Sequence, residues 1–170
     1  MFSKFFTRRA FAGRLAALVP GLGLAAAVPP RAAGQGKDET GGVKKLDWDA
    51  KPANPTSFIT PLIIHNDVIY IAGQGAHSHD TGETFPMDIE NHTKRVMENV
   101  KHLVETGGGT MDSILQLTVY LADIAYYEPM NKIFKTYFPN GGPARTTVAV
   151  AALPGNSMLE INCIAAVVHK

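Results

Sequence analysis

One cysteine, Cys163, is present in 170 residues, so no intramolecular disulfide can form in any redox compartment. It lies in the apolar run 161–168 and reads as a buried, inert thiol. Charge is also sparse: 18% of residues are charged against 45% hydrophobic. That balance suits a chain that buries a core or a subunit interface and excludes wholesale disorder. The formal net charge of +1 conceals an asymmetry. Lys4, Arg8, Arg9, Arg14 and Arg31 precede residue 34 with no acidic residue among them; without them 11 basic and 15 acidic residues remain, a net of −4. Phosphate neutralisation dominates nucleic-acid affinity, so no nucleic-acid partner is expected. No tandem repeat, zinc-ligand spacing or phosphate-cradling glycine motif occurs. Gly107-Gly108-Gly109 follows a helical pattern instead of opening one and reads as a helix stop. The most apolar N-terminal stretch, residues 15–28, falls short of the roughly 18 residues that span a bilayer, so no stable membrane insertion is expected.

That stretch is preceded by Thr7-Arg8-Arg9-Ala10-Phe11, a paired arginine and an aromatic that resemble a twin-arginine export signal. Ala25-Ala26-Ala27 offers the small residues that a signal peptidase reads, so cleavage is expected after Ala27 and the mature protein in the periplasm. The following residues are rich in Gly, Pro, Lys and Asp without a sustained apolar period. The organisation expected is a signal peptide at 1–27, a linker at 28–55 and one domain at 56–170. Trp48, the only tryptophan, falls in this linker and is expected to pack on the domain edge.

Within the domain, residues 58–64 and 68–72 are β-branched, aromatic runs separated by His65-Asn66-Asp67, a hairpin signal. Ile89, His92, Val96, Val100, Leu103 and Val104 recur at helical spacing, with Asp88 and Glu90 at the start. Leu115, Leu117, Val119 and Leu121 alternate with polar residues in a strand with one apolar face. Pro129 sits in the first turn of a second helix carrying Met130, Ile133, Phe134, Tyr137 and Phe138. Two more strands, 145–152 and 158–168, flank Leu153-Pro154-Gly155-Asn156-Ser157. The order ββαβαββ predicts an α+β domain with two helices on one face of a mixed sheet.

Two charged residues in the last strands stand out. The period of two separates Arg145, Thr147, Ala149 and Ala151 from Thr146, Val148, Val150 and Ala152. The second set is the better core face, so Arg145 and Thr147 are expected to project from the opposite side, towards solvent or a neighbouring subunit. Glu160 is the only charged residue between Arg145 and Lys170. A carboxylate in an apolar strand is costly unless paired, and is often functional. Hairpin pairing of the two strands would bring Arg145 and Glu160 together, as a structural ion pair or as a pair that carries chemistry. His77-Ser78-His79-Asp80 has the alternate histidines of a transition-metal site, but its position between a strand end and Thr81-Gly82 reads as a solvated loop. No metal ligand is assigned.

The stretch Gly142-Pro143-Ala144-Arg145-Thr146-Thr147-Val148, with Ala151-Ala152-Leu153-Pro154 and Leu159-Glu160-Ile161, resembles the signature of the Rid (YjgF) family of imine/enamine deaminases. Ile71-Ala72-Gly73-Gln74, Asn99-Val100, Thr118-Val119-Tyr120-Leu121-Ala122-Asp123 and Asn131 extend the similarity over nearly the whole domain. The resemblance implies a chorismate-mutase-like homotrimer with sites between subunits. Its implied activity is hydrolysis of 2-imino or 2-enamino acids to 2-keto acids and ammonia, with no metal or organic cofactor. Arg145 would grip the substrate carboxylate through its guanidinium fork, and Glu160 would activate the hydrolytic water. The Gly73 carbonyl and the Asn131 side chain would complete the lining. Thr147, where many members carry Cys, would offer its hydroxyl to the leaving nitrogen. Phe58 stands where many members carry a tyrosine, keeping the ring and losing the hydroxyl. Two other functions are compatible with these residues: non-catalytic binding of small carboxylates, and the RNA cleavage or chaperone activity of some relatives, which the negative charge disfavours.

Overall fold

The left-handed backbone of Asn66 (φ 49°) and Asp67 (φ 62°) reverses the chain between β2 (Leu62–His65) and β3 (Val68–Gln74). Asn and Asp tolerate this conformation, and two such residues in a row match the twist of a tight hairpin. The register pairs His65 with Val68 and Leu62 with Ile71. The structure is a computed structural model that describes residues 41–82 and 88–169. The expected signal peptide and the first part of the expected linker lie outside the described residues.

Helix α1 (Ile89–Thr106) begins at Asp88, whose carboxylate accepts the Asn91 N–H, a cap worth about 1 kcal/mol. It buries the periodic residues Val96, Val100, Leu103 and Val104. At its end Gly107 passes so close to Ile69 that an added Cβ would lie 3.0 Å from that side chain, and Gly108 takes φ +86°. The chain continues through β4 (Ile114–Leu121), α2 (Tyr127–Phe134), β5 (Ala144–Ala149) and β6 (Leu159–Ala166). With the short strand β1 (Lys44–Leu46) included, the sheet has six strands in the order β1-β2-β3-β6-β4-β5. Strand β6 runs antiparallel to both of its neighbours, and β5 runs parallel to β4. Each helix therefore serves as the crossover between parallel strands, as such connections require. The expected α+β class holds, with one core formed by the helices and the covered face of the sheet, including Leu62, Ile69, Val119, Ile161, Val100 and Met130.

Four expectations are corrected. The fold begins before Thr56: β1 (Lys44–Leu46) pairs with β2 along the outer edge of the sheet. Three residues cover an otherwise open edge but are too few for an apolar period to reveal them. The first expected strand starts at Leu62 instead of Phe58. Further, β5 and β6 do not form a hairpin, because β4 lies between them. Parallel pairing sets Arg145 beside Leu117 and Thr147 beside Val119, both of which are core residues. Arg145 and Thr147 thus share the helix-covered face, whereas Val148 is left on the open face at 40% exposure.

Candidate functional site

Arg145 is half-buried at the edge of the sheet, against α2. Its Nη1 donates to Asn131 Oδ1 at 2.8 Å and its Nη2 to Tyr127 Oη at 3.4 Å. The guanidinium carbon also lies 4.7 Å from the centroid of the Phe134 ring, within the range of a cation–π contact. Asn131 is itself buried, so its amide is a fixed acceptor that aims the guanidinium. Among the described residues no carboxylate pairs with Arg145. The Thr147 hydroxyl, on the same face of β5, is enclosed and has no hydrogen-bond partner within the described residues.

Glu160 belongs to a second locality. Between Ile71 and Gln74 the β3–β6 register shifts, a bulge of the kind that re-aims backbone beside functional sites. Gly73 sits in this irregularity, where an added Cβ would lie 3.2 Å from Glu160 Oε2. Glu160 also borders a cavity of about 240 Å³ with Gly73, Gly75, His77 and Ser157. Burial pushes its carboxyl pKa above the ordinary 4.5, because desolvation disfavours the charged form.

Two buried residues of α1 support this locality. Asn99 Nδ2 donates to the carbonyls of Gly75 and His77 at 3.0 and 2.9 Å, fixing the loop after β3. The ring Nε2 of His92 lies 3.0 Å from Ser157 Oγ, and Ser157 Oγ donates to the Leu159 carbonyl at 2.8 Å. These bonds anchor the start of β6, one residue before Glu160.

One chain does not unite the two localities. Arg145 is in register with Leu117, and Glu160 with Tyr120 on the far side of β4. A strand spacing of about 4.8 Å and a rise of about 3.3 Å per residue put their Cα atoms about 14 Å apart. Their side chains also leave opposite faces of the sheet, since Glu160 alternates with the buried Leu159 and Ile161. Arg145, Asn131 and Thr147 therefore form one group, and Glu160 and Gly73 another. Phe58 joins neither and is 96% exposed.

The histidine loop departs from a simple solvated turn. His77 is half-buried, and burial followed by the charge of His79 lowers its pKa. Its ring meets Trp48 edge-on at 6.0 Å, while Trp48 stacks on His79 at 5.1 Å and on His102 at 5.7 Å. The described residues contain no cluster of His, Cys, Asp or Glu able to hold a metal. Sequence reasoning missed this aromatic group because its members come from the expected linker, a loop and a helix. The lone Trp48 was the one available signal.

A small α+β domain with a six-stranded mixed sheet, two crossover helices and a carboxylate beside a glycine bulge defines a recognised class. The chain belongs to the Rid (YjgF) family: the family model described as Endoribonuclease L-PSP matches residues 49–167. A RutC family protein of Pyrococcus abyssi is 34% identical over 122 residues, covering 72% of this chain and 96% of that protein. The rat protein named 2-iminobutanoate/2-iminopropanoate deaminase is 33% identical over 123 residues, covering 72% of this chain and 90% of the relative. Among solved structures, the YjgF gene product of E. coli matches with a TM-score of 0.63 at 27% identity, over 72% of this chain and 97% of that one. No helix among the described residues is long and apolar enough to cross a membrane.

Proposed function

We propose that this protein hydrolyses reactive 2-imino and 2-enamino acids to 2-keto acids and ammonia, in a site completed by a second copy of the chain within a homotrimer. The observation that carries this reading is the separation of two complementary half-sites: a guanidinium aimed by Asn131, with no carboxylate partner among the described residues, and a carboxylate of raised pKa in a cavity.

In this mechanism Arg145 binds the substrate carboxylate through two parallel hydrogen bonds. Glu160 takes a proton from water as the water oxygen bonds to the imine carbon, and passes it to the nitrogen to give the carbinolamine. The same carboxylate then takes the hydroxyl proton and delivers it to nitrogen, the C–N bond breaks, and ammonia leaves the 2-keto acid behind. The carbonyl of Gly73 holds the water, while the Thr147 hydroxyl, enclosed beside Arg145 on β5, takes no part in the proton transfers. A carboxylate whose pKa burial raises above the ordinary value is a stronger base for both proton transfers.

The test is the rate of 2-keto acid formation from freshly generated imino acids. Glu160→Gln should lower turnover by about 100-fold or more while keeping affinity for the product carboxylate. Arg145→Lys should weaken that affinity, since a point charge cannot reproduce the planar fork. A wild type that binds pyruvate and never accelerates imine hydrolysis makes the chain a carboxylate-binding module instead.

We also propose export by the twin-arginine route, on the strength of Arg8-Arg9 and the apolar stretch that follows. A reporter fused to residues 1–33 should reach the periplasm, and Arg8→Lys with Arg9→Lys should stop it. Unchanged export of the double variant overturns this proposal.

A further inference from the structure

We infer that a second cleft, also bordered by Gly73, is a side-chain pocket that adapts this site to imino acids bearing a large planar side chain. The inference rests on the imine-hydrolysis reading above and names its substrate class. The cleft has a volume of about 380 Å³, and Trp48, Ile59, Pro61, Gly73 and His77 are among its walls. Gly73 and His77 also line the cavity of Glu160, so the two spaces share a wall at Gly73, where an added Cβ would stand 3.2 Å from Glu160 Oε2. A substrate whose imine carbon faces Glu160 would thus extend its side chain past Gly73 towards Trp48.

The wall is both aromatic and held in place. The Trp48 carbonyl accepts hydrogen bonds from His102 Nε2 at 2.9 Å and Thr106 Oγ1 at 3.4 Å, both from α1. Its ring is braced by His79 and His102 and met edge-on by His77. A ring fixed in advance costs little to order when ligand binds, and aromatic pairs gain beyond their burial alone. An enclosed apolar cavity of about 150 Å³ already accepts benzene, so the cleft has room for a benzyl or indolyl group. The rat relative is named for 2-iminobutanoate and 2-iminopropanoate, whose side chains are ethyl and methyl and need no such space.

Trp48 is the only tryptophan, so its emission reports on the cleft directly. Calorimetric titration of the chain with phenylpyruvate and with pyruvate should show phenylpyruvate bound roughly tenfold tighter or more, with only phenylpyruvate changing Trp48 emission. The imine of phenylalanine should likewise exceed that of alanine in kcat/KM. Trp48→Ala should bring both ratios close to one, and Trp48→Phe, which keeps a ring and guards against a folding defect, should retain most of the preference. Equal binding of the two keto acids by the wild type, or ratios unmoved in a folded Trp48→Ala, overturns the inference. A retained preference for phenylpyruvate without turnover of either imine supports the pocket and overturns the deaminase reading instead.

Discussion

The two half-sites are built in opposite ways. At the edge of the sheet, Arg145 is already held in place: Asn131 accepts from it, Tyr127 lies within reach, and Phe134 covers one side of the guanidinium. Around Glu160 the protein removes interactions. A bulge and a glycine keep side chains away from the carboxylate, and burial raises its pKa. A group that grips a permanent charge benefits from being held ready. A group that must gain and lose a proton benefits from an environment in which neither form is strongly favoured. In the proposed mechanism, binding and proton transfer thus fall on different strands and different faces.

The sharpest way to break this comparison is to separate the halves onto different chains. If each site takes Arg145 from one copy and Glu160 from another, Arg145→Ala and Glu160→Gln should each be inactive alone. Unfolding and refolding the two together should then restore roughly a quarter of wild-type activity, the share of interfaces that receive both intact halves in a randomly mixed ring. Keto-acid formation by the mixture checks this, and no recovery would place both residues' roles within one chain or outside the chemistry.

A smaller effect is expected at Gly73. Its φ is not in the left-handed region, so alanine is compatible with the backbone, but the new methyl would lie 3.2 Å from Glu160 Oε2. The carboxylate must yield by a few tenths of an ångström. Gly73→Ala should lower kcat about tenfold with little change in melting temperature, as displacement of a positioned group does. An equal substitution at Gly155, where nothing lies within 4 Å of an added Cβ but φ is +63°, should do the reverse, costing stability more than turnover.

The smallest effect concerns stability and pH. The folded-state pKa of Glu160 lies above its ordinary 4.5, so its contribution favours folding below that pH and is lost as pH rises through the folded value. Glutamine does not titrate. Glu160→Gln should therefore melt slightly higher than wild type near neutral pH, and the gap should close on acidification below the ordinary carboxylate range. The gap is small because partial solvent access screens the charge. A variant that is less stable at neutral pH would show that the carboxylate is held by favourable contacts, like Arg145.

Local pattern carried much of this molecule into view. The tight turn at Asn66-Asp67, helix α1 with its Asp88 cap, the single apolar face of β4 and the identities of Arg145 and Glu160 all follow from spacing, side-chain chemistry and turn propensity. The face of β5 did not. Its alternation marked Val148 as core, yet an edge strand takes its orientation from the neighbour it joins, and pairing with β4 turned Arg145 and Thr147 towards the helices. The Trp48 group was equally hidden, since residues 48, 77, 79 and 102 share no period.

The sequence by itself determined the two helices, most of the strands and which two charges interrupt apolar strands, because those depend on residues a few positions apart; β1 and the start of β2 escaped it. Only the tertiary structure decided that β6 lies between β3 and β4, so that Arg145 and Glu160 stand on opposite faces with β4 between their strands. Strand order is fixed by the burial of whole apolar faces against the helices, a collective choice among pairings that no local pattern encodes.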